Sequence, residues 1–122
     1  MNAYTQVAGN LTADPVLRQH DGRPVASMRF ASADRAPGGP TTFFDVSVWG
    51  AQGENAAKSF HKGDALVVVG RLTMRHWTPT QGARAGQEQV TPEVVADVIA
   101  PDLRFATVAI TKVVGRTEPT VE

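Results

Sequence analysis

Apolar and polar residues alternate along several stretches of the chain, a pattern typical of strands that turn one face to a core. Strands are predicted over 4–11, 24–32, 42–49, 65–77, 90–99 and 107–113. Pro92 marks an edge or an irregular start of the fifth strand, because proline cannot donate a hydrogen bond to a ladder. A helix is predicted over 53–62, with Ala56 and Phe60 on its apolar side and Gly63 as its end.

The third predicted strand is the most informative. Phe44, Val46 and Val48 share one of its sides, and this wholly apolar side is expected in the core. Phe43 and Trp49 lie among polar residues on the other side. Aromatic residues usually lie in the core, but the first side of this strand already supplies a complete apolar face for it. We therefore expect the rings of Phe43 and Trp49 to face outward.

The fourth predicted strand places arginines beside a ring. Arg71, Arg75 and Trp77 share one of its faces. An arginine in that position can neutralise a phosphate and stack on a base. A solvated surface is the more common setting for arginine, and the adjacent tryptophan favours a binding role for Arg75.

Five strands with one short helix between the third and the fourth follow the plan of the OB barrel. We therefore predict an all-β fold, namely an OB-fold five-stranded barrel with that helix and an extra C-terminal strand. Residues 1–113 are predicted to form a single domain, which the length of 122 residues also favours. Residues 114–122 are predicted to be a short polar tail.

Composition and charge narrow the classes of function. The absence of cysteine excludes disulfides and thiolate metal sites. No apolar stretch approaches the roughly 20 residues that cross a bilayer, and the first residues lack the features of a signal peptide. We therefore expect a cytoplasmic protein without membrane contact. Twelve basic residues balance twelve acidic ones, so a positive groove would require local clustering of arginines.

Several blocks of sequence resemble the bacterial single-stranded DNA-binding proteins. These blocks are 9–15 with 17–18, 43–50, 62–64, 68–72 and 75–77. They follow the family's order and spacing, and residues 100–107 resemble the actinobacterial branch, in which an added strand reinforces the contact between subunits. The resemblance implies a homotetramer. It also implies that Phe43, Trp49 and Trp77, which match the family's stacking positions, contact bases.

Three features depart from the family's pattern. The chain ends at Glu122 without the flexible linker and acidic tip that recruit partner proteins. We therefore expect a short, tailless paralogue, or a plasmid or phage version, without tail-mediated partners. The loop over 36–41 is short and lacks the aromatic residue often found there. Asp45 stands where a basic residue is common, and it is expected to weaken phosphate contact.

These observations predict sequence-independent binding and protection of single-stranded DNA in DNA replication, recombination or repair. Every base has a π face, and stacking on an aromatic side chain contributes roughly 1–3 kcal/mol per base. The predicted site residues are Trp49, Trp77, Phe43, Arg75, Arg71, Arg18, Lys62, Arg29 and Arg84. Arg18 and Lys62 match basic positions of the family. Arg29 and Arg84 are chosen by strand parity and loop placement.

No pattern in the sequence indicates catalysis, a cofactor or a metal. The histidines are scattered, no glycine-rich phosphate loop ends in Lys-Ser/Thr, and no serine has the context of a nucleophile. We predict no enzymatic activity and no cofactor. One alternative is an OB-fold protein-interaction module, such as a replication-restart or segregation scaffold with weak DNA affinity, which the zero net charge and Asp45 favour. The other is an OB-fold nuclease, which would need carboxylates clustered around a metal.

Overall fold

The computed structural model describes residues 3–33 and 38–113 of the chain. Its elements are β1 (Ala3–Leu11), β2 (Val16–His20), β3 (Arg23–Ala33), β4 (Thr41–Trp49), α1 (Gly50–Ser59), β5 (Ala65–Trp77) and β6 (Gln89–Pro101). The five predicted barrel strands and the helix between the third and fourth of them are confirmed. The predicted tail over 114–122 and residues 36–37 of the predicted loop over 36–41 lie outside the described residues.

The strands form one closed sheet in the order β1-β5-β6-β4-β3-β2. The ring closes because the end of β1 also pairs with β3, with Asn10 opposite Ala31 and Leu11 opposite Phe30. Neighbouring strands are antiparallel except β4 and β6, which run parallel. Five strands therefore make the predicted OB barrel, and β2 lies alongside the first half of β3.

Alternation did not predict β2. All five of its residues are exposed, so no change between apolar and polar sides marks it as a strand. The predicted turn at Asp21 and Gly22 joins it to β3, and the φ angles of 50° and 77° there suit a two-residue hairpin. The sheet therefore has a sixth strand at this hairpin.

The predicted C-terminal strand over 107–113 is wrong for the single chain. Residues 106–113 form no strand in the described structure, and Val108, Ile110 and Val113 are exposed. A strand requires a second backbone to supply its hydrogen bonds, and β6 already ends at Pro101. The expected contact of this segment with another subunit stays a prediction.

The barrel interior contains the side chains that alternation assigned to it. Val46 and Val48 of β4 are almost fully buried, as are Leu66 and Val68 of β5. Phe30 of β3 is also fully buried and packs in the same cluster. Because side chains alternate across a strand, the intervening residues of β3, β4 and β5 must point away from this core.

The helix α1 lies against β3 and β4 and occupies 50–59 instead of the predicted 53–62. It begins early because Gly50, at φ 73°, turns the chain directly after β4. It ends early because Phe60 is extended, although its N–H still donates to the Ala56 carbonyl. No helix in the described ranges is long and apolar enough to cross a membrane.

Candidate nucleic-acid interface

The outward side chains of β2 to β6 form a surface that we call the outer face. Its members used below are Arg18, His20, Arg23, Arg29, Phe43, Asp45, Trp49, Arg75, Trp77 and Glu93. Strand register places Asp45 in the middle, directly opposite Arg29 on one side and Glu93 on the other. The outer face therefore combines all three predicted stacking residues with several predicted basic residues.

Asp45 holds two arginines from two different strands. Nη1 of Arg29 lies 3.3 Å from Oδ1 of Asp45, and Nη2 of Arg75 lies 2.7 Å from Oδ2. Glu93 offers a second carboxylate to Arg75, at 3.6 Å from its Nε. The Asp45 side chain is only 24% exposed, whereas both arginine side chains are about half exposed. The less exposed carboxylate therefore anchors both guanidinium groups, and the outer sides of the two arginines remain accessible to solvent.

Each of these arginines also lies beside an aromatic ring. The guanidinium of Arg29 is 5.0 Å from the ring centroid of Phe43, and that of Arg75 is 5.8 Å from that of Trp77. Both distances are within the range of cation–π contact. Phe43 and Trp77 are 43% and 40% exposed. Phe43, Arg29, Asp45, Arg75 and Trp77 thus form a continuous series of contacts, which we call the Asp45 cluster.

The indole of Trp77 is oriented by its own hydrogen bond. Its Nε1 donates to Oγ1 of Thr91 at 2.9 Å. The residue opposite Trp77 is Gln89, which accepts a hydrogen bond from Arg84 at 3.2 Å. This places Arg84, in the loop between β5 and β6, at the same end of the outer face as Trp77.

Trp49 belongs to a second group, the Trp49 cluster, with His20 and Arg23. The Arg23 guanidinium lies 5.0 Å from the indole centroid, and the His20 ring meets the indole edge to face at 5.8 Å. Val25 lies opposite both Trp49 and Arg18 and is buried although it points outward. The outer face is thus locally packed beneath this cluster.

Sequence reasoning missed Arg23 and His20 as members of the site. A usable signal was present, because a two-residue turn at Asp21 and Gly22 places His20 directly opposite Arg23. Recognising β2 as a strand would have extended this pairing to Arg18 and Val25. The position of the pair beside Trp49 also requires the register between β3 and β4.

The two indoles point outward from opposite ends of the outer face. Trp49 lies four residues beyond Asp45 along β4, and Trp77 lies four residues beyond Thr73 along β5. Asp45 and Thr73 both pair with Glu93, and β4 and β5 run in opposite directions. At about 3.3 Å per residue, each indole is ~13 Å from this central row, in opposite directions. A ligand that reaches both rings must therefore cross the middle of the outer face.

A shallow groove occupies that middle. Three arginines and three carboxylates are among the residues that line it: Arg18, Arg29, Arg75, Asp14, Asp45 and Glu93. The arginines cluster as a positive groove would require, but an equal number of acids accompanies them. The zero net charge of the whole chain is thus repeated locally.

Two predicted site residues lie away from both clusters. Arg71 is opposite Tyr4 on β1 and Val95 on β6. Lys62 is in the turn after α1, where its backbone N–H donates to Oδ1 of Asp14 at 2.8 Å. Because Asp14 lines the groove, Lys62 stands at the groove rim, whereas Arg71 has no such connection among the contacts of the described residues.

A metal site is not formed by the described part of the chain. Within 3–33 and 38–113, no group of three or more His, Asp or Glu side chains is placed to hold a metal ion. Asp45 and Glu93, which approach the same groove, are paired with arginines instead. These residues do not fit the carboxylate cluster that an OB-fold nuclease would need.

The closed barrel, with its helix between β4 and β5 and its arginine–aromatic outer face, defines an OB-fold binding protein. More particularly, the chain belongs to the Single-strand binding protein family, whose profile it matches over residues 2–102. The family resemblance expected from the sequence is thereby confirmed, as is the expectation that the protein is not an enzyme.

Similar proteins occur in actinobacteria, as the sequence predicted. The chain is 37% identical to the single-stranded DNA-binding protein of Mycolicibacterium smegmatis, over 87% of this chain and 67% of that protein. It is 38% identical to the Corynebacterium glutamicum protein of the same name, over 82% of this chain and 47% of that protein. The chain thus spans only part of these longer relatives.

Two solved structures match nearly throughout. The small single-stranded DNA-binding protein from Streptomyces coelicolor has a TM-score of 0.75 and 28% identity, and the match covers 87% of this chain and 99% of that one. The second single-stranded DNA-binding protein from Mycobacterium smegmatis has a TM-score of 0.71 and 26% identity, covering 92% and 100%. The barrel and its helix are therefore shared with small members of the family.

Proposed function

We propose that this protein binds single-stranded DNA without sequence preference. The observation that carries the proposal is the Asp45 cluster, where two exposed rings each lie beside an arginine on one surface. A base that stacks on such a ring gains about 1–3 kcal/mol, and the neighbouring guanidinium is placed to neutralise its phosphate. Stacking uses the π face and leaves the base edges unread, so sequence has little influence.

The bound strand would run across the outer face from Trp77 to Trp49. The arginines of the groove, Arg18, Arg29 and Arg75, lie between these rings and would contact the intervening phosphates. Lys62 at the groove rim and Arg84 near Trp77 extend the basic contacts at either side. The separation of the indoles leaves room for several nucleotides.

The names of similar proteins support this proposal. The relatives from Mycolicibacterium smegmatis and Corynebacterium glutamicum are both called single-stranded DNA-binding proteins. We place the activity in replication, recombination or repair, in the cytoplasm at the nucleoid. Exposed single strands occur there and need protection from nucleases and from re-annealing.

A homotetramer is part of the proposal. Residues 3–9 of β1 pair with β5, while the pairing of β1 with β3 is confined to Asn10 and Leu11. The Ala8 carbonyl accepts a hydrogen bond from the Ser32 hydroxyl, so the other edge of β1 is open over residues 3–7 within the described chain. Val69 and Val98 are neighbours on β5 and β6, and both are exposed. An open strand edge beside exposed apolar residues favours association between copies.

The test is a titration of the full chain with a dT oligomer, followed by tryptophan fluorescence. Both tryptophans lie on the outer face, so stacked bases should quench the emission. An oligomer of mixed sequence should bind with similar affinity, and a duplex of the same length much more weakly. Unchanged fluorescence together with no retention in a filter-binding assay would refute DNA binding.

The charge balance of the groove favours a second candidate, the protein-interaction module. Each groove arginine that holds a carboxylate has less net attraction for phosphate. In that case the folded protein would bind the dT oligomer only weakly, even at low salt. The same titration therefore separates the two functions.

A further inference from the structure

Asp45 lies between the guanidinium groups of Arg29 and Arg75 on the outer face. One of its carboxylate oxygens contacts Arg29 of β3, and the other contacts Arg75 of β5. A phosphodiester group also presents two charged oxygens to arginine donors. The carboxylate thus satisfies the same guanidinium groups that a DNA strand would need.

The same contacts keep the arginines over the rings. Arg29 reaches Asp45 while lying 5.0 Å from the Phe43 centroid, and Arg75 reaches Asp45 and Glu93 while lying 5.8 Å from the Trp77 centroid. A base that stacks on either ring must share that space with the guanidinium. Binding of DNA would therefore be an exchange, in which phosphate replaces the carboxylate and a base joins the arginine at the ring.

We propose that Asp45, assisted by Glu93, is a specificity-determining residue that acts as an internal competitor for phosphate. Asp45 makes the outer face selective for polyanions that carry stackable bases. A phosphate without a base gains little from an arginine that is already paired with a carboxylate. This proposal rests on the proposed function, since it concerns the same face. The ligands that Asp45 disfavours are phosphodiester chains without bases.

The competitor also affects the response to salt. When phosphate displaces Asp45 from Arg29 and Arg75, the freed carboxylate recruits a cation, which offsets part of the cation release from DNA. Without Asp45 this compensation is lost, so the dependence of affinity on salt steepens toward about −0.7 in log–log slope per phosphate contacted. A residue with only a structural role would leave this slope unchanged.

The experiment compares Asp45→Asn with Glu54→Gln in the full chain. Glu54 is exposed on α1, so its substitution makes the same change of net charge away from the outer face. Each variant is titrated with a dT oligomer and with an abasic deoxyribose-phosphate oligomer of equal length. We expect Asp45→Asn to bind the abasic oligomer about tenfold more tightly and the dT oligomer about threefold more tightly, the scale of one or two partly exposed ion pairs.

Glu93→Gln is the second variant, because it removes one contact to Arg75 and keeps Asp45 in place. It should shift both affinities and the salt slope in the same direction by a smaller amount. Equal behaviour of Asp45→Asn, Glu93→Gln and Glu54→Gln on the two oligomers, or weaker binding by Asp45→Asn, would overturn the inference. Failure of the unsubstituted protein to bind dT would instead overturn the proposed function.

Discussion

The imidazole of His20 meets the indole of Trp49 edge to face, with ring centroids 5.8 Å apart and planes inclined by 74°. His20 ends β2 and Trp49 ends β4, so the contact ties the β2–β3 hairpin to the rest of the outer face. Arg23, opposite His20 in the hairpin, lies 5.0 Å from the same indole. A base that stacks on Trp49 must therefore lie against Arg23 or displace it.

Arg23→Ala is expected to weaken binding of a dT oligomer by about two- to tenfold, since one cation–π or charge contact contributes about 0.5–1 kcal/mol or somewhat more. The measurement is the fluorescence titration at fixed salt. Lys58→Ala is the matched control, because Lys58 is an exposed basic residue in the last turn of α1. Equal affinities for the two variants would remove the hairpin from the site.

Gly53→Ala is expected to destabilise the fold without involving the outer face. Gly53 is buried in α1, and an added Cβ would lie 2.1 Å from the Val48 carbonyl oxygen, so the helix must move away from β4. Overpacking of this kind costs about 1–3 kcal/mol. Chemical denaturation measures the loss. Asn55→Ala, at an exposed position of the same helix, should leave stability nearly unchanged or slightly raised, and a similar result for Gly53→Ala would contradict the close packing.

Alternation along β4 predicted the orientation of its side chains, because a strand with one face in the core has a period of two. Val46 and Val48 are buried and Phe43 is exposed, as expected. The same reasoning placed Arg29 on the outer side of β3. What a single strand predicts, therefore, is which of its residues share a side.

The contacts between strands could not be predicted in this way. Asp45 meets Arg29 and Arg75 only because β3 and β5 have particular registers, which depend on turns and on barrel closure. β2 has no buried side to mark it, and its pairing depends on a tight turn. The opposite error occurred over 107–113. The alternating sequence there predicted a strand, but the segment has no strand partner within the described chain.

Asp102→Asn is expected to lower the melting temperature slightly at neutral pH. Hydrogen bonds from the Arg104 side chain, and then from its backbone N–H, hold the pKa of Asp102 below its ordinary value. A lowered pKa means that the fold favours the charged form. The stabilisation is therefore fully present above the ordinary aspartate pKa and is lost as pH falls through the lowered value.

Calorimetry of Asp102→Asn and the unsubstituted chain across acid pH checks this linkage. The difference in melting temperature should be largest near neutrality and should close at the acid end. Asp97→Asn, at an exposed position of β6, serves as the control. A difference for Asp102→Asn that stayed constant with pH would show that the carboxylate charge contributes nothing.

Trp77→Ala is expected to weaken binding of a dT oligomer more than tenfold at fixed salt, since it removes a stacking contact worth about 1–3 kcal/mol and exposes Arg75 to solvent. Trp77→Phe keeps a stacking face and loses the hydrogen bond to Thr91, so its affinity should be intermediate. Met74→Ala, on the other side of β5, is the control for strand integrity.

The salt dependence distinguishes stacking from charge in the same series. Trp77→Ala removes no charge, so its log–log salt slope should match that of the unsubstituted chain. Arg75→Gln should instead reduce the magnitude of the slope by up to about 0.7, the value for one phosphate contact on a single strand. Unchanged affinity for Trp77→Ala would exclude the ring from the binding face. A slope altered by Trp77→Ala as much as by Arg75→Gln would show that the indole acts by positioning the arginine and not by stacking on a base.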